Sequence, residues 1–226
     1  RAPSFMNSGV KYYSYDGNYF YTDIEKLISD AKSNNHNNAV NSNNIFYNYY
    51  QYLSLRSKAS YTAEDINTYF AKNTPTDSVL RKELKNTGEY FIKAQSKYGV
   101  NASAMVGIAM NESGKGTSTI AKTKNNIFGI NAVDSNSNGA NYFNSIEDCI
   151  DTFATEYLNP KSWKYYSGHL GNKNLGCNVK YASDPYWGEK SSSFMHDMNA
   201  YLFNQGKNDD YNRYTIGIVN KNSDVK

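Results

Sequence analysis

The run NASAMVGIAMNESGKGTS, residues 101–118, holds the residue types and spacing that suit chemistry. Met105, Ile108 and Glu112 recur at i, i+3 and i+7. That places Glu112 on the apolar face of a helix opened by Asn101 and stopped at Gly114. A carboxylate on such a face is desolvated, and one in the last turn meets the negative end of the helix dipole. Both effects favour the protonated form near neutral pH, which a general acid needs. A buried Glu paired with a Lys or a backbone amide has the same signature, so burial alone leaves both readings open.

Other chemistries lack their residues. Cys149 and Cys177 have 27 residues between them and no CxxC or CxxH spacing, so a structural zinc site is disfavoured. A disulfide between them stays open. Cys149, in IEDCIDTF, reads as a small core residue, and Cys177 as part of a loop. His36, His169 and His196 show neither HExxH nor HxH spacing. A zinc amidase or peptidase is therefore disfavoured, and neither Cys has a context that would activate a thiolate. No metal and no cofactor are expected.

The elements that must position Glu112 read as mostly helical. Aromatic runs around Asp16-Gly17, in residues 10–21, signal a hairpin. Ile24, Leu27, Ile28 and Ala31 then follow a helical period. Residues 33–44 are polar loop, and 45–58 are aromatic-rich and ambiguous. Thr62 and Asp65 form a capping box ahead of Ile66, Tyr69 and Phe70, broken at Pro75. Residues 77–98 read as one helix carrying Val79, Leu80, Leu84, Phe91, Ala94 and Tyr98. Residues 126–130 and 140–143 flank a Gly/Asn/Asp/Ser-rich stretch that suggests a small hairpin. Ser145 and Asp148 cap a helix to about Leu158. Asp184-Pro185 reads as an N-cap with Pro at the first helical position, leading to a helix near 188–204.

Composition sets wider limits. The chain has 226 residues, 24 basic and 21 acidic, and a net charge of +3. That balance does not suit an electrostatic nucleic-acid binder, and no apolar run approaches the ~20 residues of a membrane span. Tyr occurs 22 times and Asn 32 times, against three Gln. Amphipathic aromatics and amides suit surfaces that hold polar polymers such as sugars, while codon bias in an AT-rich genome would produce the same surplus. The start, RAPSFMN, reads as an excised or mature segment without a signal peptide.

Three ordered motifs add a resemblance: ESGKGTS at Glu112 to Ser118, NNIFGI at Asn125 to Ile130, and YASDP at Tyr181 to Pro185. Together they resemble the glucosaminidase domain of bacterial cell-wall autolysins, glycoside hydrolase family seventy-three, over roughly residues 80–204. The resemblance implies a mainly α, lysozyme-like helical core with a small β-hairpin at the cleft. Residues 1–75 look like the N-terminal accessory lobe of clostridial-type autolysins, with the catalytic core in 76–226. The implied activity is endo-β-N-acetylglucosaminidase: cleavage of the β-1,4 bond after N-acetylglucosamine in peptidoglycan.

The resemblance also implies roles. Glu112 is the acid, and Tyr181 faces it across the cleft to stabilise positive charge at the anomeric carbon. The matching second acid is Asp134, an Asp where several relatives carry Glu, on a Gly/Asn-rich hairpin. Glu147 and Asp148 are alternatives that read better as first-turn helix acids. A route without a second carboxylate, in which the substrate's 2-acetamido group attacks the anomeric carbon, stays open. Asn126, Phe128, Gly129, Ser118, Asp184 and Trp187 are the expected substrate-binding residues. For Asn125 structural support is the better reading, and for Asp184 helix capping competes. The partner would be peptidoglycan glycan strands, with no nucleic acid and no membrane. The protein would be a secreted, wall-associated monomer. A muramidase, a lytic transglycosylase or a non-catalytic wall-binding module are the competing readings.

Overall fold

The computed structural model describes residues 2–82, 87–132 and 139–217. Its centre is the helix α6 (Ala102–Glu112), in which residues 102 to 110 are buried on every side. Asn101 opens it by accepting from the Ala104 amide at 2.9 Å. Small residues make this burial geometrically feasible. A Cβ on Gly107 would stand 2.6 Å from the Ser191 carbonyl oxygen of α10 (Trp187–Asn204), so the two helix backbones touch there. The spacing predicts both helices; only their crossing explains the glycine.

The other helices are α1 (Ile24–Lys32), α2 (Tyr49–Tyr52), α3 (Ala63–Asn73), α4 (Val79–Lys82), α5 (Thr87–Tyr98), α7 (Thr119–Lys124), α8 (Ile146–Thr152) and α9 (Asn178–Tyr181), of which α2, α3 and α5 pack on this pair. The reciprocal capping box at Thr62 and Asp65 is present, as the sequence predicts. At α8 Ser145 accepts from the Asp148 amide, and the helix runs on as a π turn over Phe153–Tyr157. The expected single helix over 77–98 is described as α4 and α5; Leu84 lies outside the described residues.

Three expectations change. Among the described residues the N-terminal hairpin reduces to one antiparallel bridge, Tyr13 to Tyr21. Asp16 Oδ1 accepts the amides of Asn18 and Tyr19, closing a tight side-chain turn in place of strand pairing. The apolar face of α1 is not a core face: Ile24 and Ile28 are exposed, and the helix buries Asp30, held by Tyr21 and Asn38. At α10 the cap position is Tyr186. Asp184 instead accepts the Tyr186 amide in the turn just before the helix, at 2.9 Å. Its pairing with Lys190 holds the carboxylate in that turn.

One hydrophobic cluster runs from Tyr49 to Leu202. Residues 49–74, assigned from sequence to the N-terminal lobe, contribute Tyr50, Ile66, Tyr69 and Phe70 to it. Residues before 49 join the rest through amides. Asn18 accepts from the Tyr52 hydroxyl and from Asn172, and donates to the Phe46 carbonyl. Both cysteines are free and buried. Among the described residues no helix is long and apolar enough to cross a membrane.

Gly107→Ala tests the central crossing. Helix propensity alone would stabilise α6 by about 1 kcal/mol, but forcing a methyl against the α10 backbone costs ~1–3 kcal/mol. We expect net destabilisation in urea unfolding. A stabilised variant would show that the helices can separate freely.

Candidate active site

Glu112 is the last residue of α6, and the chain turns away at once. Ser113 Oγ donates to the Ala109 carbonyl and accepts from the Gly116 amide. The outgoing turn is braced from outside: Ser78 Oγ donates to the Lys115 carbonyl, and the Val79 amide to the Gly116 carbonyl. Ser118 then caps α7 by accepting from the Ala121 amide. The carboxyl is left in the wall of a cavity of about 590 Å³, lined also by Ser118, Ile120, Asn126, Gly129 and Tyr181.

The NNIFGI segment shapes the facing wall. Asn125 adopts a left-handed conformation and donates to the Phe143 carbonyl. Asn126 is buried; its amide donates to the Ile130 and Asn141 carbonyls and accepts from the Ile130 amide. The side chain expected to bind sugar is therefore taken up by backbone. Phe128, also expected at the substrate, is buried and stacks on Phe153 with centroids 4.0 Å apart. Gly129 has φ +63°, and a Cβ there would stand 3.2 Å from Glu112 Oε2. Its lack of a side chain keeps the acid accessible.

The YASDP segment supplies the aromatic side. Tyr181 ends α9, whose last carbonyls Lys173 caps by donating to Asn178, Val179 and Ala182. The Tyr181 hydroxyl donates to the Phe128 carbonyl at 2.6 Å. Its ring stacks on Trp187 with centroids 4.4 Å apart, and the buried Trp187 indole N–H donates to Glu112 Oε1. Trp187, expected at the substrate, is thus held in the core against the Glu112 carboxyl. Burial, with the Glu112 charge close by, pushes the Tyr181 phenol well above its usual range.

Electrostatics favour an acid at Glu112. Burial pushes its carboxyl up to about 7; the Trp187 hydrogen bond opposes this and the Asp184 charge adds to it. Asp184, held low by Lys190, stays ionised. Glu189 is a second carboxyl pushed up to about 7, by burial and by Asp16 and Asp184. It lies in the first turn of α10, and no local pattern in the sequence marks it. It is held against the N-terminal turn: a Cβ on Gly17 would lie 2.0 Å from its Oε1. Glu147 pairs with Lys93 and Asp148 accepts the Asn144 amide, so both serve α8 and its packing. Asp134 lies outside the described residues. Among the described residues, Glu112 is the one acid in the cavity wall.

The helical frame has counterparts among solved autolysin structures. The chain is similar to Staphylococcus aureus autolysin E in complex with the muropeptide NAM-L-Ala-D-iGlu, with TM-score 0.56 and 22% identity over 87% of each chain. A catalytic mutant of the same protein, in complex with the disaccharide NAG-NAM, matches with TM-score 0.55 and 23% identity, over 70% of this chain and 75% of that one. At such identity these matches show the fold. The family is shown by sequence: residues 88–200 match the glucosaminidase family, described as mannosyl-glycoprotein endo-beta-N-acetylglucosaminidase, and the chain belongs to that family. Two proteins from strains of Streptococcus pneumoniae, each named "Putative endo-beta-N-acetylglucosaminidase", are 34% identical over 87% of this chain. The chain spans 26% and 24% of their lengths, about a quarter.

Trp187→Phe isolates the indole hydrogen bond, since the stacked ring remains. The bond stabilises ionised Glu112, so its loss should raise the Glu112 pKa above about 7. A ¹³C NMR titration of the Glu112 carboxyl should show the midpoint moving to higher pH. An unmoved or lowered midpoint would remove Trp187 from the control of the acid.

Proposed function

We propose that this domain is an endo-β-N-acetylglucosaminidase that hydrolyses the β-1,4 bond between N-acetylglucosamine and N-acetylmuramic acid in bacterial peptidoglycan. It would be an autolysin of cell separation and wall turnover, secreted and wall-associated, acting as a monomer. The supporting observation is Glu112: a carboxyl poised near neutral pH at a helix end, in an open cavity wall, within a chain of the glucosaminidase family. The lysozyme-like reading of the cleft and the division into an accessory lobe (1–75) and a catalytic core (76–226) belong to the same proposal.

The chemistry follows from one donor. Glu112 protonates the glycosidic oxygen as its bond to the anomeric carbon breaks. The carbonyl oxygen of the sugar's 2-acetamido group closes on that carbon, forming an oxazolinium ion. Water then attacks the anomeric carbon and gives its proton to the Glu112 carboxylate, restoring the acid. This route needs no carboxylate base. Tyr181 and Asp134 stabilise the positive charge. Asn126, Phe128 and Trp187 shape the site from behind, while Ser118 and Gly129 stay at its surface.

Glu112→Gln is close to isosteric and removes the transferable proton, so peptidoglycan lysis should fall by ~10²–10⁴ with folding intact. Retention of a tenth of the activity would exclude Glu112 as the acid. Borohydride reduction of wild-type products should yield N-acetylglucosaminitol. Reduced muramic acid would indicate a muramidase, and a 1,6-anhydro end a lytic transglycosylase.

Asp134→Asn separates the routes. Loss of charge stabilisation alone should lower the rate by about tenfold, or ~1.4 kcal/mol. A collapse matching that of Glu112→Gln would make Asp134 the base of an inverting reaction.

A further inference from the structure

Much of the tyrosine surplus lies away from Glu112. Phe46, Tyr47, Tyr52, His169, Tyr211 and Tyr214 are the main walls of a groove of about 1000 Å³ that shares no lining residue with the Glu112 cavity. Its size is at the upper end of the ~300–1,000 Å³ usual for ligand pockets. The rings are held in place. Tyr47 meets Tyr52 edge to face at 4.8 Å, and Tyr52 stacks on His169 at 5.7 Å. Tyr214 is fixed at both ends, its hydroxyl donating to the Lys58 carbonyl and its amide to the Tyr49 hydroxyl.

Two features narrow the ligand. None of the described lining residues carries a formal charge, since burial pushes His169 down from its usual value and keeps it neutral. In the depression that adjoins through Tyr52 and Tyr214, Arg56 donates to the carbonyls of Tyr98, Gly99 and Leu158. Arg213, whose guanidinium lies over the Tyr214 ring, is paired with Asp210, so a phosphate or a peptide carboxylate would meet no unpaired cation among the described lining residues. Secondly, His169 Nε2 is buried without a hydrogen-bond partner among the described residues, and a buried orphan of this kind calls for a ligand or water partner. Aromatic faces interleaved with hydroxyls and an amide suit a molecule with apolar ring faces and polar edges.

We propose that this groove is a second glycan-binding site, one that takes an uncharged chain of N-acetylhexosamine units. The tyrosine rings stack on the pyranose faces, and Asn212 and Thr215, which also line the groove, meet hydroxyl and acetamido groups. A second hold on a polymer raises its effective concentration at the first site. That consequence rests on the proposed hydrolase activity; binding in the groove does not.

The test uses the full chain as Glu112→Gln, so that the probe survives, with chitotetraose as the probe and hydrogen–deuterium exchange as the readout. We expect protection of residues 46–52 and 211–214 in addition to the segments around Glu112. Tyr47→Ala should weaken groove binding at least tenfold and leave protection around Glu112 unchanged, which also checks folding. If Tyr47→Ala fails to fold, His169→Phe decides, since it keeps the ring beside Tyr52 and removes the nitrogen; it should weaken the groove likewise. Protection confined to the Glu112 region would overturn the proposal. So would groove protection that survives the folded variant, or that is already present without probe. Groove protection without protection near Glu112 would support this site and count against the hydrolase reading.

Discussion

The desolvation of one carboxyl organises this domain. Glu112 needs a buried helix end, an open side toward solvent and a donor that fixes its orientation. α6 supplies the first through the run of buried residues from Ala102 to Met110. Gly129 supplies the second by leaving space beside Oε2. Trp187 supplies the third. The opposing influences leave the acid near pH 7, where a proton donor is most useful. A fully apolar pocket without Trp187 would hold the proton more tightly, and a solvent-exposed carboxyl would release it too early.

The requirement propagates outward. Trp187 begins α10, so its indole reaches Glu112 only if α10 crosses α6 closely, and Gly107 permits that approach. Tyr181 stacks on Trp187 and is anchored to the Phe128 carbonyl, while Phe128 stacks on Phe153 in the π turn after α8. The three motifs thus meet through aromatic contacts, the Tyr181 bond to the Phe128 carbonyl and the Trp187 bond to Glu112. Asp184 links them electrostatically, because its charge raises both Glu112 and Glu189.

The N-terminal segment is held by different physics. Before residue 49 the described chain offers few buried apolar side chains, and α1 turns its isoleucines to solvent. Its attachment runs through Asn18, Asn41 and Asn172, whose short amides bridge backbone groups across loops. The asparagine surplus therefore has a structural use. At Asn126 too, the amide satisfies the backbone where a sugar contact was expected.

Local features were legible in the sequence. The Asn101 and Ser118 caps, the Thr62–Asp65 box and the sharp exit after Glu112 follow from residues within one or two helical turns of each other. The family follows from three short motifs in order. What only tertiary structure decided lies between segments far apart in the chain. The Trp187 bond to Glu112 spans 75 positions, Glu189 lies against Gly17, and Phe128 faces Phe153 rather than the cavity. A periodic pattern states that a side chain is buried or exposed, but not which partner it meets. α1 shows the limit even of that, since its apolar stripe predicts a core face and the fold leaves it in water. Helix caps and turns close over a few residues at small entropic cost, so local sequence determines them. Partners across the core depend on how whole helices cross, and that was decided by the packing of every element together.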